Sequence, residues 1–155
     1  MIQEFNNLTE DEMETLLNTP VWITLLIAGA DNVIDKKEIE DAIHITKHKK
    51  TRAREDLINY YTLVDKKFAT NLQGLLELLP EDPKEISEIA MENIRKLNDI
   101  FPKLEKSFAI HLYESLKDFS NKIAKSTGGV LGYLSVGYEE AKLVDLKLVN
   151  DPSKS

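Results

Sequence analysis

The chain has 155 residues, no cysteine and a formal charge of −7, which excludes disulfides and thiolate metal sites and works against general nucleic-acid affinity. Its length suits one domain with a sizeable core, and its 42% apolar and 30% charged residues match an ordinary soluble protein. The opening Met-Ile-Gln-Glu-Phe-Asn-Asn has neither the basic nor the apolar region of a secretory signal, so a cytoplasmic location is expected.

Taken in order, Thr9 with Glu12 three positions on, flanked by Leu8 and Met13, reads as a capping box with a hydrophobic staple. A short first helix is expected from there to about Leu17. Thr19 then reads as an N-cap and Pro20 as the first residue of a second helix, since proline lacks an N–H that would be unpaired there anyway. Val21, Trp22, Ile23, Leu25, Leu26, Ile27 and Ala28 leave no polar stripe, which places that helix inside the fold. It is too short for lipid, where about 20 predominantly apolar residues are needed. Gly29-Ala30-Asp31-Asn32 breaks the pattern, and Asp35 with Glu38 forms a second capping box opening a helix from Lys36 to about His48. Ile39, Ala42, Ile43 and Thr46 make its inward stripe.

From Arg52 to Leu79, Leu57, Tyr60, Tyr61, Val64, Phe68, Leu72, Leu75 and Leu76 keep helical spacing, with Thr70-Asn71 a point where one helix can become two. Asp82-Pro83 opens another helix, lined by Ile86, Ile89, Ala90, Ile94, Leu97 and Phe101. Pro102 disfavours a helical Phe101, so a kink or tight turn is expected there. Leu104 to Ile123 reads as a helix of about six turns, closed by Ser126-Thr127-Gly128-Gly129. Val130 to Val149 reads as an apolar loop and a final helix with Ala141, Leu143, Val144, Leu146 and Leu148 buried; residues 150–155 form a polar tail. No stretch alternates with a two-residue period. The expectation is an all-α, single-domain bundle of about six to eight helices over residues 1–149. A faint echo of Ile34–Glu38 at Leu134–Glu140, a hundred positions later, would make it two related halves.

The run Leu26-Ile27-Ala28-Gly29-Ala30-Asp31-Asn32-Val33-Ile34-Asp35-Lys36-Lys37-Glu38-Ile39 resembles the signature of the TerB-like family, named for tellurite resistance: an apolar helix, an Ala-Asp-Gly-like turn, a hydrophobic residue, a capping polar residue and a glutamate. The resemblance covers about twenty residues firmly and the helix order loosely. It implies a compact helical bundle whose acidic cluster holds a divalent cation, acting in bacterial stress-response or membrane-associated assemblies. Asn32 stands where the family prefers glycine, and Gly128-Gly129 and Ser135 stand where a second acidic turn belongs.

Asp31, Asp35 and Glu38 supply the carboxylate oxygens that Ca²⁺ or Mg²⁺ takes, with Glu139 and Glu140 as candidates to complete the set. This is not an EF-hand loop, because the sixth position from Asp31 is Lys36 and the twelfth is Ala42, where glycine and glutamate are required. The competing reading is that Asp35 and Glu38 only cap a helix. His44 and His48 are one turn apart, but lack the intervening acid of a metalloprotease pattern and read as a surface pair. Lys47, Lys49, Lys50, Arg52 and Arg54 are the one concentrated basic patch, able to meet an anionic partner or to sit as a solvated helix junction. No phosphate loop, Gly-x-Ser-x-Gly elbow or cysteine nucleophile is present. The expectation is therefore a non-enzymatic binding module with a protein partner.

Overall fold

A computed structural model describes residues 5–28, 36–134 and 146–154, excepting the side chains of Ala28, Lys36, Glu38, Pro83 and 126–134. The described residues are all-α. Six α-helical segments, α1 (Glu10–Ala28), α2 (Lys36–Arg52), α3 (Glu55–Leu78), α4 (Pro83–Arg95), the single turn α5 (Leu97–Ile100) and α6 (Lys106–Leu134), are joined by a 3-10 turn at Phe101–Lys103 and followed by another at Pro152–Lys154.

The starts of α1, α4 and α6 form where side chains pair with backbone N–H groups. Thr9 Oγ1 accepts from Glu12 N at 3.1 Å while Glu12 Oε1 accepts from Thr9 N at 2.9 Å, the reciprocal box expected. Asp82 Oδ1 accepts from Lys84 N at 3.0 Å, with Pro83 in the first turn of α4. Glu105, which carried no cap signal by residue type, starts α6 by accepting from Ser107 N and Phe108 N at 3.0 Å each.

The largest departure from expectation is at Thr19-Pro20, where no helix begins: α1 runs straight through both. The Thr19 hydroxyl does not cap but donates back to the Thr15 carbonyl at 2.9 Å, as Thr24 does to Pro20 at 2.8 Å. A proline inside a helix costs about 3 kcal/mol, largely through the lost N–H and a clash with the carbonyl four residues back. Here that carbonyl, Leu16 O, accepts instead from the Tyr60 hydroxyl of α3 at 2.7 Å. Leu16, Val21, Ile23, Leu25 and Leu26 are all fully buried, and at about 1.5–3 kcal/mol per side chain their burial exceeds the proline penalty.

α1 is the central rod, packed against α3, α4, α5 and α6, while α2 lies on α3 and α6. Trp22 is half-buried against the core. α3 is one unbroken helix: Asn71 interrupts nothing and instead donates from Nδ2 to Asn18 Oδ1 of α1 at 2.8 Å. Between α3 and α6, the rings of Phe68 and Phe119 meet edge to face at 6.3 Å.

Two other expected breaks are resolved differently. Phe101 keeps helical backbone angles (φ −54°, ψ −40°), and the chain turns only at Leu104, where ψ reaches 157°. α6 does not stop at Gly128-Gly129 but continues to Leu134, about eight turns in all. Each glycine costs about 1 kcal/mol relative to alanine, too little to halt a helix whose earlier turns are anchored by Leu112, Leu116, Phe119 and Ile123. The expected final helix falls mostly on residues 135–145, outside the described residues; its described end, Leu146 to Val149, is a turn. The tail after it is docked rather than free. Pro152 is buried, and the Asn98 side chain clasps the segment by donating to Leu148 O at 3.0 Å and accepting from Asn150 N at 2.7 Å.

Candidate functional site

Asp31, Asp35, Glu139 and Glu140 lie outside the described residues, and of Glu38 only the backbone, in the first turn of α2, is described. The seven residues 29–35 connect the end of α1 to the start of α2. Leu25 and Leu26 anchor the first of these ends, and Ala42 and Thr46 anchor the second. Among the described residues no group of three or more potential metal ligands is assembled. His44 and His48 are both exposed on α2.

The basic patch is drawn largely into the protein's own ion pairs. Lys50 Nζ meets Asp65 Oδ2 at 2.9 Å, and Lys47 Nζ stands 3.6 Å from Asp65 Oδ1, tying α2 to α3. Arg54 Nε lies 3.7 Å from Asp56 Oδ1. Arg52 is exposed, and no ion pair is formed by it among the described residues.

Lys49 turns inward, its side chain only 9% exposed. Its ammonium donates to Asp118 Oδ2 at 2.6 Å and to the Ser115 hydroxyl at 3.3 Å and carbonyl at 3.4 Å, both on α6. The Ser115 hydroxyl shares a 2.6 Å hydrogen bond with the Tyr61 hydroxyl of α3, and Lys49 Nζ stands 5.8 Å from the centre of that ring. One lysine thus joins three helices. Burial pushes its pKa below the usual lysine range, against the opposing pull of Asp118. Burial also pushes the Tyr61 phenol far up, the Ser115 hydrogen bond only partly offsetting it, so the hydroxyl stays protonated. For Asp118, burial opposes ionisation, but hydrogen bonds from Lys49 and Lys122 outweigh it and hold the carboxyl below its usual range.

Two further features went unread at the level of sequence. His111 Nδ1 of α6 faces Asp56 Oδ2 of α3 at 2.6 Å, while Asp56 Oδ1 is buried with no hydrogen bond. The second feature is a cleft of about 330 Å³ where the α5–α6 corner meets the C-terminal segment, floored by Phe101, Leu104 and Ala109 and walled by Pro152. Both join residues roughly fifty positions apart; aspartate and histidine, or phenylalanine and proline, carry no local mark of such a meeting.

Comparison with protein-family models, curated proteins and solved structures finds no match to this chain.

Proposed function

We propose that the chain is a small cytoplasmic helical binding module of TerB-like type that holds a divalent cation, Ca²⁺ or Mg²⁺, on the acidic connection Asp31, Asp35 and Glu38. Glu139 and Glu140 supply further ligands, and the module engages a protein partner in a bacterial stress response or membrane-associated assembly rather than catalysing a reaction. No described helix is long and apolar enough to cross a membrane.

The observation that carries this reading is the anchoring of the acidic segment. α1 passes Pro20 without a break and delivers residue 28 from the centre of the bundle, and α2 is clamped to α3 and α6 by Lys50–Asp65 and Lys49–Asp118. The helices on either side of residues 29–35 are thus fixed in the bundle, and a binding segment held at both ends is favoured over a free one.

Calorimetric titration with Ca²⁺, Mg²⁺, Mn²⁺ and Zn²⁺ tests it. Saturable heat with one of these ions, abolished by Asp35→Asn, is expected. Absence of heat together with an unchanged melting temperature at millimolar metal removes the cation.

A metal-independent interaction domain, working as a homodimer or scaffold, is the second reading. It is favoured by Leu78, which is 84% exposed at the end of α3 beside the half-buried Leu75, Leu76 and Leu79. Sedimentation without metal distinguishes the two, since a metal-free monomer counts against the dimer.

A further inference from the structure

We infer that the C-terminal end of α3, where Leu78 stands one turn beyond Gly74, docks an amphipathic helix with a cationic rim, supplied by a partner protein. The inference rests on the protein-partner reading above and is independent of the cation.

Among the described residues Leu78 is the large apolar side chain left exposed, at 84%. Gly74, four positions earlier, and Leu75, three earlier, lie on the same side of α3. Leu75 is half-buried against the core, so the apolar stripe runs from the interior out to Leu78. A glycine inside a helix is destabilising relative to alanine, and no neighbour calls for one here, since a Cβ at Gly74 would meet nothing within 4 Å. The exposed leucine therefore stands beside a notch of bare backbone. A knob and a notch one turn apart suit a second helix, whose side chains seat between those of the first and whose axis comes closest over glycine.

The surroundings set the partner's charge. Residues 69–94 hold six acidic residues and one lysine. Glu77 precedes Leu78 directly and Glu81 follows three positions on; both are exposed, as is Glu85, and none of the three forms an ion pair among the described residues. The lysines of α2, by contrast, already meet aspartates of the same chain. A lysine-rich or arginine-rich rim is drawn to this end of α3, while an anionic bilayer or a nucleic acid is repelled. A second copy seated about a two-fold axis would set Glu77 and Glu81 against their own counterparts, which disfavours self-association through this face.

The test is an amide-resolved NMR titration of the full chain, in a metal chelator, with a synthetic amphipathic helix of leucine and lysine about 15 residues long. One control peptide replaces its leucines with serine and another its lysines with glutamate. The leucine-lysine peptide is expected to shift the amides of Gly74, Leu75 and Leu78 with a dissociation constant of about 100 μM. Leu78→Ser should weaken it at least about tenfold, the worth of a leucine taken out of water. Gly74→Gln, which fills the notch with a good helix former, should weaken it comparably. Glu77→Gln/Glu81→Gln should weaken it about threefold, as exposed charge pairs allow. All four substitutions sit at exposed or open positions, and an unchanged melting temperature checks that the fold is kept. The site is overturned if these amides do not shift at about 1 mM peptide, if the shifts fall elsewhere on the chain, or if Leu78→Ser and Gly74→Gln bind as the parent does. Equal binding of the serine peptide overturns the apolar contact, and equal binding of the glutamate peptide overturns the cationic rim. Sedimentation without peptide separates this failure from that of the reading beneath it: a dimer dispersed by Leu78→Ser, with no peptide bound, keeps the interaction surface and overturns the cationic helix.

Discussion

The Tyr60 hydroxyl donates at 2.7 Å to the Leu16 carbonyl, the acceptor that Pro20, four residues further on, cannot serve. A side chain of α3 thereby completes the backbone ladder of α1 at the proline. Burial holds the phenol well above its usual pKa, so the donor persists at any physiological pH.

Tyr60→Phe should therefore destabilise the protein by about 1–3 kcal/mol, the cost of leaving a buried carbonyl unpaired. In a Pro20→Ala background the restored N–H serves Leu16, and the same substitution should cost measurably less. Urea unfolding of the four proteins in a double-mutant cycle should give a coupling of about 1 kcal/mol. Strict additivity would mean that Tyr60 merely packs.

Lys49 and Asp118 should respond unequally to loss of their partner. Lys49 is buried while the Asp118 side chain is 52% exposed. Asp118→Asn strands a buried ammonium and should cost about 1–2 kcal/mol, whereas Lys49→Met puts an apolar chain in an apolar place and should fall within about 1 kcal/mol of the parent. The pH dependence follows from the signs. The lowered carboxyl pKa makes the Asp118 contribution complete above the unfolded value of 3.8 and lost as pH falls through the lower folded value. The lowered Lys49 pKa acts at the alkaline end, where stability rises as pH climbs from the folded value toward 10.5. Unfolding free energies measured across both windows should show a shallower acid limb in Asp118→Asn and a smaller alkaline gain in Lys49→Met.

Much of the fold was legible because it is written locally. The Thr9–Glu12 box, the Asp82-Pro83 start and the spacing from Leu57 to Leu72 each rest on contacts within a few positions, and each is found as read. The Thr19-Pro20 start was misread for the same reason. Those residues do satisfy the local rule for beginning a helix, and what overrides it is Tyr60, forty positions away. The basic run was legible as charge but not as structure, since nothing near Lys49 or Lys50 in the chain names Asp118 or Asp65 as partner. Of the candidate acidic ligands, Asp31, Asp35, Glu139 and Glu140 lie outside the described residues, and what is placed is the pair of helices on either side of residues 29–35.

Leu146 is the described residue outside glycine with positive φ, 53°, and it is also fully buried. The left-handed conformation costs leucine about 1–2 kcal/mol, less than the 2–5 kcal/mol or so that a buried leucine side chain typically contributes. Leu146→Gly should therefore destabilise, by about 2 kcal/mol, despite relieving the backbone. Hydrogen exchange should quicken first at Val149 N, which donates to the Leu146 carbonyl, and at Asn150 N, which donates to the Asn98 side chain. Stabilisation by Leu146→Gly would show that the strain outweighs the burial.

The proposal that the acidic connection binds a cation is tested most directly by a crystal grown with Ca²⁺. The expected result is one strong peak with carboxylate oxygens of Asp31, Asp35 and Glu38 at about 2.3–2.6 Å, the calcium–oxygen range, absent from crystals of Asp31→Asn/Asp35→Asn. Carboxylates pointing apart, with only water between them at saturating calcium, would contradict it and leave Asp35 and Glu38 as the cap of α2.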